Sequence, residues 1–178
     1  MLWLSRILTF LIGFGALWGV VFLVVTTYGW EKVWASIHGS PDLGAVEFEG
    51  LTKGPKPNQA LICPEGLCAE GAHDRISPVY KVSVDALRTA LTKSLEQEAS
   101  LERVDDGSDP MRMRYVQRTR LMRFPDTIRI QFYPLEDGAA STLALYSQSQ
   151  IGTSDFGVNL QRANRWLGRL KDLEKPAG

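Results

Sequence analysis

Residues that commonly hold transition metals are scarce in this chain: it has two histidines, His38 and His73, and two cysteines, Cys63 and Cys68. No His-rich metal spacing occurs. Nor does a Gly-x-Ser-x-Gly elbow, a phosphate-binding loop or a dinucleotide fingerprint, so the familiar catalytic and nucleotide-binding motifs are missing. Formal net charge is zero, from 20 basic and 20 acidic residues, which argues against a general nucleic-acid binder. There is no internal repeat or low-complexity tract. The most informative absence is local: from Ile7 to Trp30 the chain carries no charged side chain.

Thirteen of the residues from Ile7 to Tyr28 are Leu, Ile, Val or Phe. A bilayer core needs about 20 predominantly apolar residues in a helix. Gross insertion of this run is favourable by roughly 4 to 8 kcal/mol before Gly and Thr subtract from it. Trp3 precedes the run, and Tyr28, Trp30 and Trp34 follow it, as interfacial aromatics do. The run is too long for a signal-peptide core, and Thr26-Thr27-Tyr28-Gly29-Trp30 offers no good cleavage site. An uncleaved, single-pass anchor is expected. Arg6 and the amino terminus precede the span, while Glu31 cancels Lys32 after it, which favours a cytoplasmic N-terminus and an exported C-terminal domain. Gly15 and Gly19 form a small-xxx-small pair through which two copies could associate.

The expected organisation is an anchor over 1–35, a linker over 36–76 containing the Cys63/Cys68 loop, and a folded domain over 77–174. Charge is unevenly spread. Residues 41–72 carry five acids against two lysines, a net of −3, whereas residues 111–134 carry six arginines against Asp126 alone, a net of +5. The cysteines enclose Pro64-Glu65-Gly66-Leu67. Four intervening residues is not the spacing of thioredoxin-like motifs. In an exported domain the plain reading is a local disulfide pinning a Pro-Gly loop; a redox or metal role is the alternative.

Residues 36–73 are rich in Gly and Pro and lack sustained periodicity, with one short strand expected near 46–48. A strand is expected at 79–82. Ser83 can then cap a helix carrying Val84, Leu87, Leu91 and Leu95 at helical spacing, ending near Ala99. From there the period becomes two: strands are expected at 101–104, 111–118, 128–133 and 142–150, with turns at Asp106-Gly107 and Asp137-Gly138. A closing helix carries Ala163, Trp166, Leu167, Leu170 and Leu173 on one stripe. The order β-α-β-β-β-β-α implies an α+β domain, an antiparallel sheet with two helices packed on one face, preceded by one transmembrane helix.

Two segments carry a family likeness. One is Arg118-Thr119-Arg120-Leu121-Met122-Arg123-Phe124-Pro125-Asp126. The other runs from Ser147 through Gly152-Thr153-Ser154-Asp155-Phe156-Gly157-Val158-Asn159, with Arg162 beyond. With Pro57-Asn58 and Ser77-Pro78, they resemble the bacterial and plastid proteins of domain-of-unknown-function family 1499 over roughly residues 57–173. Members usually carry arginine at the positions of Tyr146 and Gln150 and a basic residue at Leu160, so no ligand role passes to that strand by likeness. The resemblance implies a fold and a compartment, the bacterial inner membrane with a periplasmic domain, and no reaction.

The residues themselves admit two readings. Gly152 and Gly157 allow backbone angles that side chains forbid, and Ser154, Asp155 and Asn159 are good helix N-caps, so this motif reads as a capped strand-to-helix corner. Phe124, Pro125 and Asp126 read as a second structural corner. Alternatively, helix amides near Arg162 bind an anion, although the Asp155 carboxylate would compete for them. Arg112, Arg114, Arg118 and Arg120 share strand parity; they form either a solvated face paired with acids or a surface for anionic lipid or another anionic ligand. Asp126 and Asp155 could be drawn as an acid/base pair, but nothing in the sequence brings them together. The expected role is non-catalytic and accessory or scaffolding in the cell envelope, with an envelope protein or a second copy as candidate partner, and without cofactor, metal or nucleic acid. A lipid or small-anion binding module is the alternative.

Overall fold

The structure is a computed structural model that describes residues 2–176, and the chain divides into two compact units, one ending at Gly39 and one beginning at Ser40. The first is helical throughout as α1 (Leu2–His38), except for a kink at Gly29 that divides it into two segments. At 1.5 Å per residue its stretch from 7 to 28 covers about 33 Å, enough for a hydrocarbon core of about 30 Å. None of its most apolar window is buried within the protein. Thr9 and Thr26 donate their hydroxyls to the carbonyls of Ser5 and Phe22, so these polar groups are satisfied inside the helix. Gly29, at φ 76° and ψ 151°, breaks helical geometry where the apolar run ends, in a region essentially restricted to glycine. Beyond it Trp30 and Trp34 stack at 5.3 Å.

The second unit contains β1 (Gln59–Cys63), β2 (Arg75–Ile76), α2 (Val84–Leu95), β3 (Leu101–Arg103), β4 (Arg112–Arg118), β5 (Pro125–Leu135), β6 (Ala140–Ser149) and α3 (Val158–Gly168). The strands form one sheet in the order β2-β1-β6-β5-β4-β3. All pairings are antiparallel except β1 with β2, so the α+β class holds and the sheet is mixed rather than purely antiparallel. Strand parity sorts the two faces. Ile62, Met113, Tyr115, Ile128, Ile130, Phe132, Leu143 and Leu145 pack against Leu87, Leu91, Ala163, Trp166 and Leu167 of the helices. Leu61, Cys63, Ala144 and Tyr146 point the other way into a smaller core with Phe48.

That second face explains why residues 36–76 are not a linker throughout. β1 is buried along its whole length, between the helices on one side and residues 46–51 and 67–72 on the other. A strand covered on both faces loses the polar/apolar alternation that betrays a strand, and the flanking prolines complete the loop-like appearance. Residues 46–48 do not form the expected strand, because they lie over the face of the sheet rather than beside an edge. The cover is held by side chains from the sheet instead. Thr127 Oγ1 donates to Pro41 O at 3.0 Å and accepts from Leu43 N at 3.1 Å, and Arg129 Nε donates to Gly44 O at 2.6 Å.

Three further boundaries differ. The strand expected at 79–82 shrinks to a bridge in which Tyr80 meets Ser141 and Glu174. Ser83 caps α2 as expected, accepting from Ala86 N, but the helix stops at Leu95, and the chain turns through Ser100 at φ 59°. α3 ends at Gly168, and Lys171–Leu173 continues as a single 3₁₀ turn. Cys63 and Cys68 are disulfide-bonded, with Cα atoms 6.2 Å apart, and both belong to the smaller core.

Candidate functional site

The two sequence corners meet at one end of the sheet. Asp126, the second residue of β5, lies opposite Ser149 at the end of β6, and Gln150 N donates to Pro125 O at 3.1 Å. Asn58, just before β1, donates its amide to Ser149 O and Gly152 O at 3.2 and 2.8 Å. Asn159, in the first turn of α3, donates to Asn58 O at 3.2 Å and Ser149 Oγ at 2.9 Å, and accepts from Ser147 Oγ at 2.5 Å. Arg162, one helical turn on, donates through Nη1 to Ser147 Oγ and Asn159 Oδ1 at 2.8 and 2.7 Å and through Nη2 to Asp126 Oδ2 at 2.5 Å. Asn58, Asp126, Ser147, Asn159 and Arg162 are all buried. Such a network ties the start of β1, β5, β6 and α3 together, and the Ser149 and Gly152 groups that Asn58 and Asn159 reach extend it into the loop after β6.

The loop into α3 is equally occupied. Asp155 accepts the amides of Gly157 and Asn159 at 3.0 and 2.8 Å through its two carboxylate oxygens, while Ser154 Oγ accepts Phe156 N at 3.3 Å. Gly157 holds a left-handed φ of 78° and Gly152 one of 93°, the conformations that called for glycine. The amides at the start of α3 therefore serve Asp155 and do not face an anion. The Phe124 corner closes on Thr119, which accepts Phe124 N through Oγ1 at 2.9 Å and donates its own amide to Phe124 O at 3.0 Å. Asp126 engages Arg162 and Asp155 engages the α3 amides, so each carboxylate has a structural partner of its own.

The arginines divide into two groups. Arg112 and Arg114 lie on the covered face, where Arg112 makes a two-pronged contact with Glu47 at 2.8 Å and Arg114 reaches Asp42 at 2.8 Å. The acidic 41–72 segment thus neutralises part of the basic 111–134 segment. Arg118 and Arg120 belong elsewhere: with Gln117, Thr119, Val158, Gln161, Arg162 and Arg165 they line an open cleft of about 280 Å³ between the β4–β5 turn and α3. Arg118 pairs with Glu102 at 2.8 Å, and Arg165 with Glu98 at 2.9 Å. Glu98 also holds Arg169 at 2.8 Å. Burial works to raise its pKa, but the hydrogen bond and charge of Arg165, a hydrogen bond from Gln117 and the charge of Arg169 outweigh that and keep it below the usual carboxylate range. Arg120 is exposed and makes no ion pair with any described residue. Four arginines line the cleft; Arg118, Arg162 and Arg165 each hold a carboxylate, and Arg120 alone of the four has no ion pair among the described residues.

Residues 54–170 match a family model described as a protein of unknown function, DUF1499. The chain belongs to that family. No curated protein matches it. The match begins upstream of β1, in keeping with the place of that strand inside the DUF1499 domain.

Sequence reading of the DUF1499 domain missed two arginines. Arg165 follows Arg162 by three residues, the spacing that places two side chains near one another on a helix, and that signal could have found it. Arg129 had none. It is buried, donates to Gly44 O and to Gln148 Oε1, and lies 5.4 Å from the ring centre of Tyr146. Burial lowers its pKa. Tyr146, at a position where the resemblance has arginine, supplies this cation–π contact and donates its hydroxyl to Gln59.

Proposed function

We propose that this DUF1499 protein is a single-pass protein of the bacterial inner membrane whose periplasmic domain is a non-catalytic module for recognising an anionic group, acting as an accessory component of the envelope. The observation that carries the reading is the cleft lined by four arginines, one of which, the exposed Arg120, has no ion pair among the described residues. Guanidinium forks suit phosphate and carboxylate oxygens, which they bind bidentately. A buried network holds Arg162 in place beside the cleft, so part of the site is positioned before any ligand arrives. The compartment rests on Arg6 before the span, the cancelled Glu31/Lys32 pair after it, and a disulfide of the kind that persists in oxidising surroundings.

Calorimetric titration of the full-length protein in a neutral detergent with inorganic phosphate tests this. A saturable, salt-sensitive heat is expected, and it should weaken sharply in the Arg120→Gln variant, whose exposed side chain has no ion pair to lose among the described residues, while the unfolding midpoint stays unchanged. Absence of saturable binding, or equal binding by the variant, contradicts the reading.

A further inference from the structure

Beside the cleft stand apolar side chains that the fold does not bury. Leu121, which follows Arg120 in the β4–β5 turn, is 81% exposed, Phe156 in the loop before α3 is 90% exposed, and Val158 in the cleft wall is 46% exposed. Single exposed apolar residues are ordinary. These three stand out because Leu121 and Phe156 come from two separate loops, whose strands are joined through Gln150 and Pro125 at the same end of the sheet, and because Val158, the first residue of α3, lines the basic cleft. Phe156 carries a second cost. Its φ of 53° is a left-handed conformation, unfavourable for a bulky side chain, and it leaves the ring in water. The exposed ring and the unpaired Arg120 both make sense against a surface that is apolar below and anionic at its boundary.

We infer that this end of the domain docks on a membrane of anionic phospholipid, with a headgroup phosphate in the arginine cleft and Leu121 and Phe156 seated at the boundary with the acyl chains. This deepens the anion-recognition reading and rests on it. The chemistry is complementary on both counts. Basic residues near an anionic leaflet each strengthen association by roughly fivefold, and aromatic rings favour the interfacial zone. The candidate membrane helix α1 belongs to the same chain, so docking would be intramolecular and would need little intrinsic affinity.

The test is hydrogen exchange of the full-length protein in nanodiscs of phosphatidylcholine alone or mixed with phosphatidylglycerol. Amides at 119–124 and 150–158 should exchange several-fold more slowly in the anionic discs, and raised salt should abolish the difference. Leu121→Ser/Phe156→Ser should remove the protection yet leave calorimetric binding of inorganic phosphate intact; both side chains are exposed, so folding does not depend on them. Equal exchange in the two discs, or protection that survives the double variant, overturns the lipid inference. If phosphate binds while the discs remain indistinguishable, the lipid inference falls and anion recognition stands. If neither binds, both fall.

Discussion

Arg162 illustrates how one residue serves both architecture and recognition. Its guanidinium is buried, with one end bonded to Asp126 and the other to Ser147 and Asn159, while the residue also contributes to the cleft lining. Ion pairs as buried as this one are weak evidence of net stabilisation, because desolvation opposes the attraction, but removing one partner strands the other charge. Asp126→Ala should therefore cost about 3 to 5 kcal/mol in urea unfolding, and Asp126→Leu/Arg162→Met should recover much of that loss. A single-variant loss below about 1 kcal/mol would mean that Arg162 finds compensation elsewhere, contrary to the network drawn above. Gly152 and Gly157 were legible from sequence because left-handed backbone favours glycine, whereas Phe156, also left-handed, was not. Arg129 was not, since a cation buried in strand alternation looks the same as a cation on a solvated face.

Among the elements, the contrast lies between β5, whose middle residues 128–133 were found by their alternation, and β1, which was hidden. Period-two patterning reports only a strand with one polar face. β5 shows it through Arg129, Gln131 and Tyr133, whereas both faces of β1 are covered. The cover over β1 also gives the disulfide its place. A closed loop this short contributes only about 2 kcal/mol through the unfolded chain, and Cys63 is fully buried in the smaller core. Cys63→Ala/Cys68→Ala should leave the domain folded and roughly 2 kcal/mol less stable, with the loss confined to the cover when followed by hydrogen exchange. Thiols trapped directly in cells should be found oxidised. Reduced thiols in cells would contradict the periplasmic placement, and an unfolded variant would contradict a local role for the bond.

At the scale of the whole molecule, the chain joins a helix suited to a bilayer with a DUF1499 domain whose charge is organised rather than merely balanced. Acids in 41–72 meet Arg112 and Arg114 on the covered face, whereas Arg118, Arg120 and Arg165 gather at the end of the sheet, where Arg120 has no ion pair among the described residues. From sequence the arginines formed one stripe, because parity along β4 was visible and the folding back of residues 40–54 was not. Under the proposed anion recognition, these two groups of arginines differ in function. Nitrogen-15 NMR of the arginine Nε–H groups in the full-length protein, held in neutral micelles and titrated with inorganic phosphate, tests it directly. Signals of Arg120 and Arg165 should shift saturably while those of Arg112, Arg114 and Arg129 stay in place. Shifts spread evenly over all the arginines, or confined to Arg112 and Arg114, would contradict it.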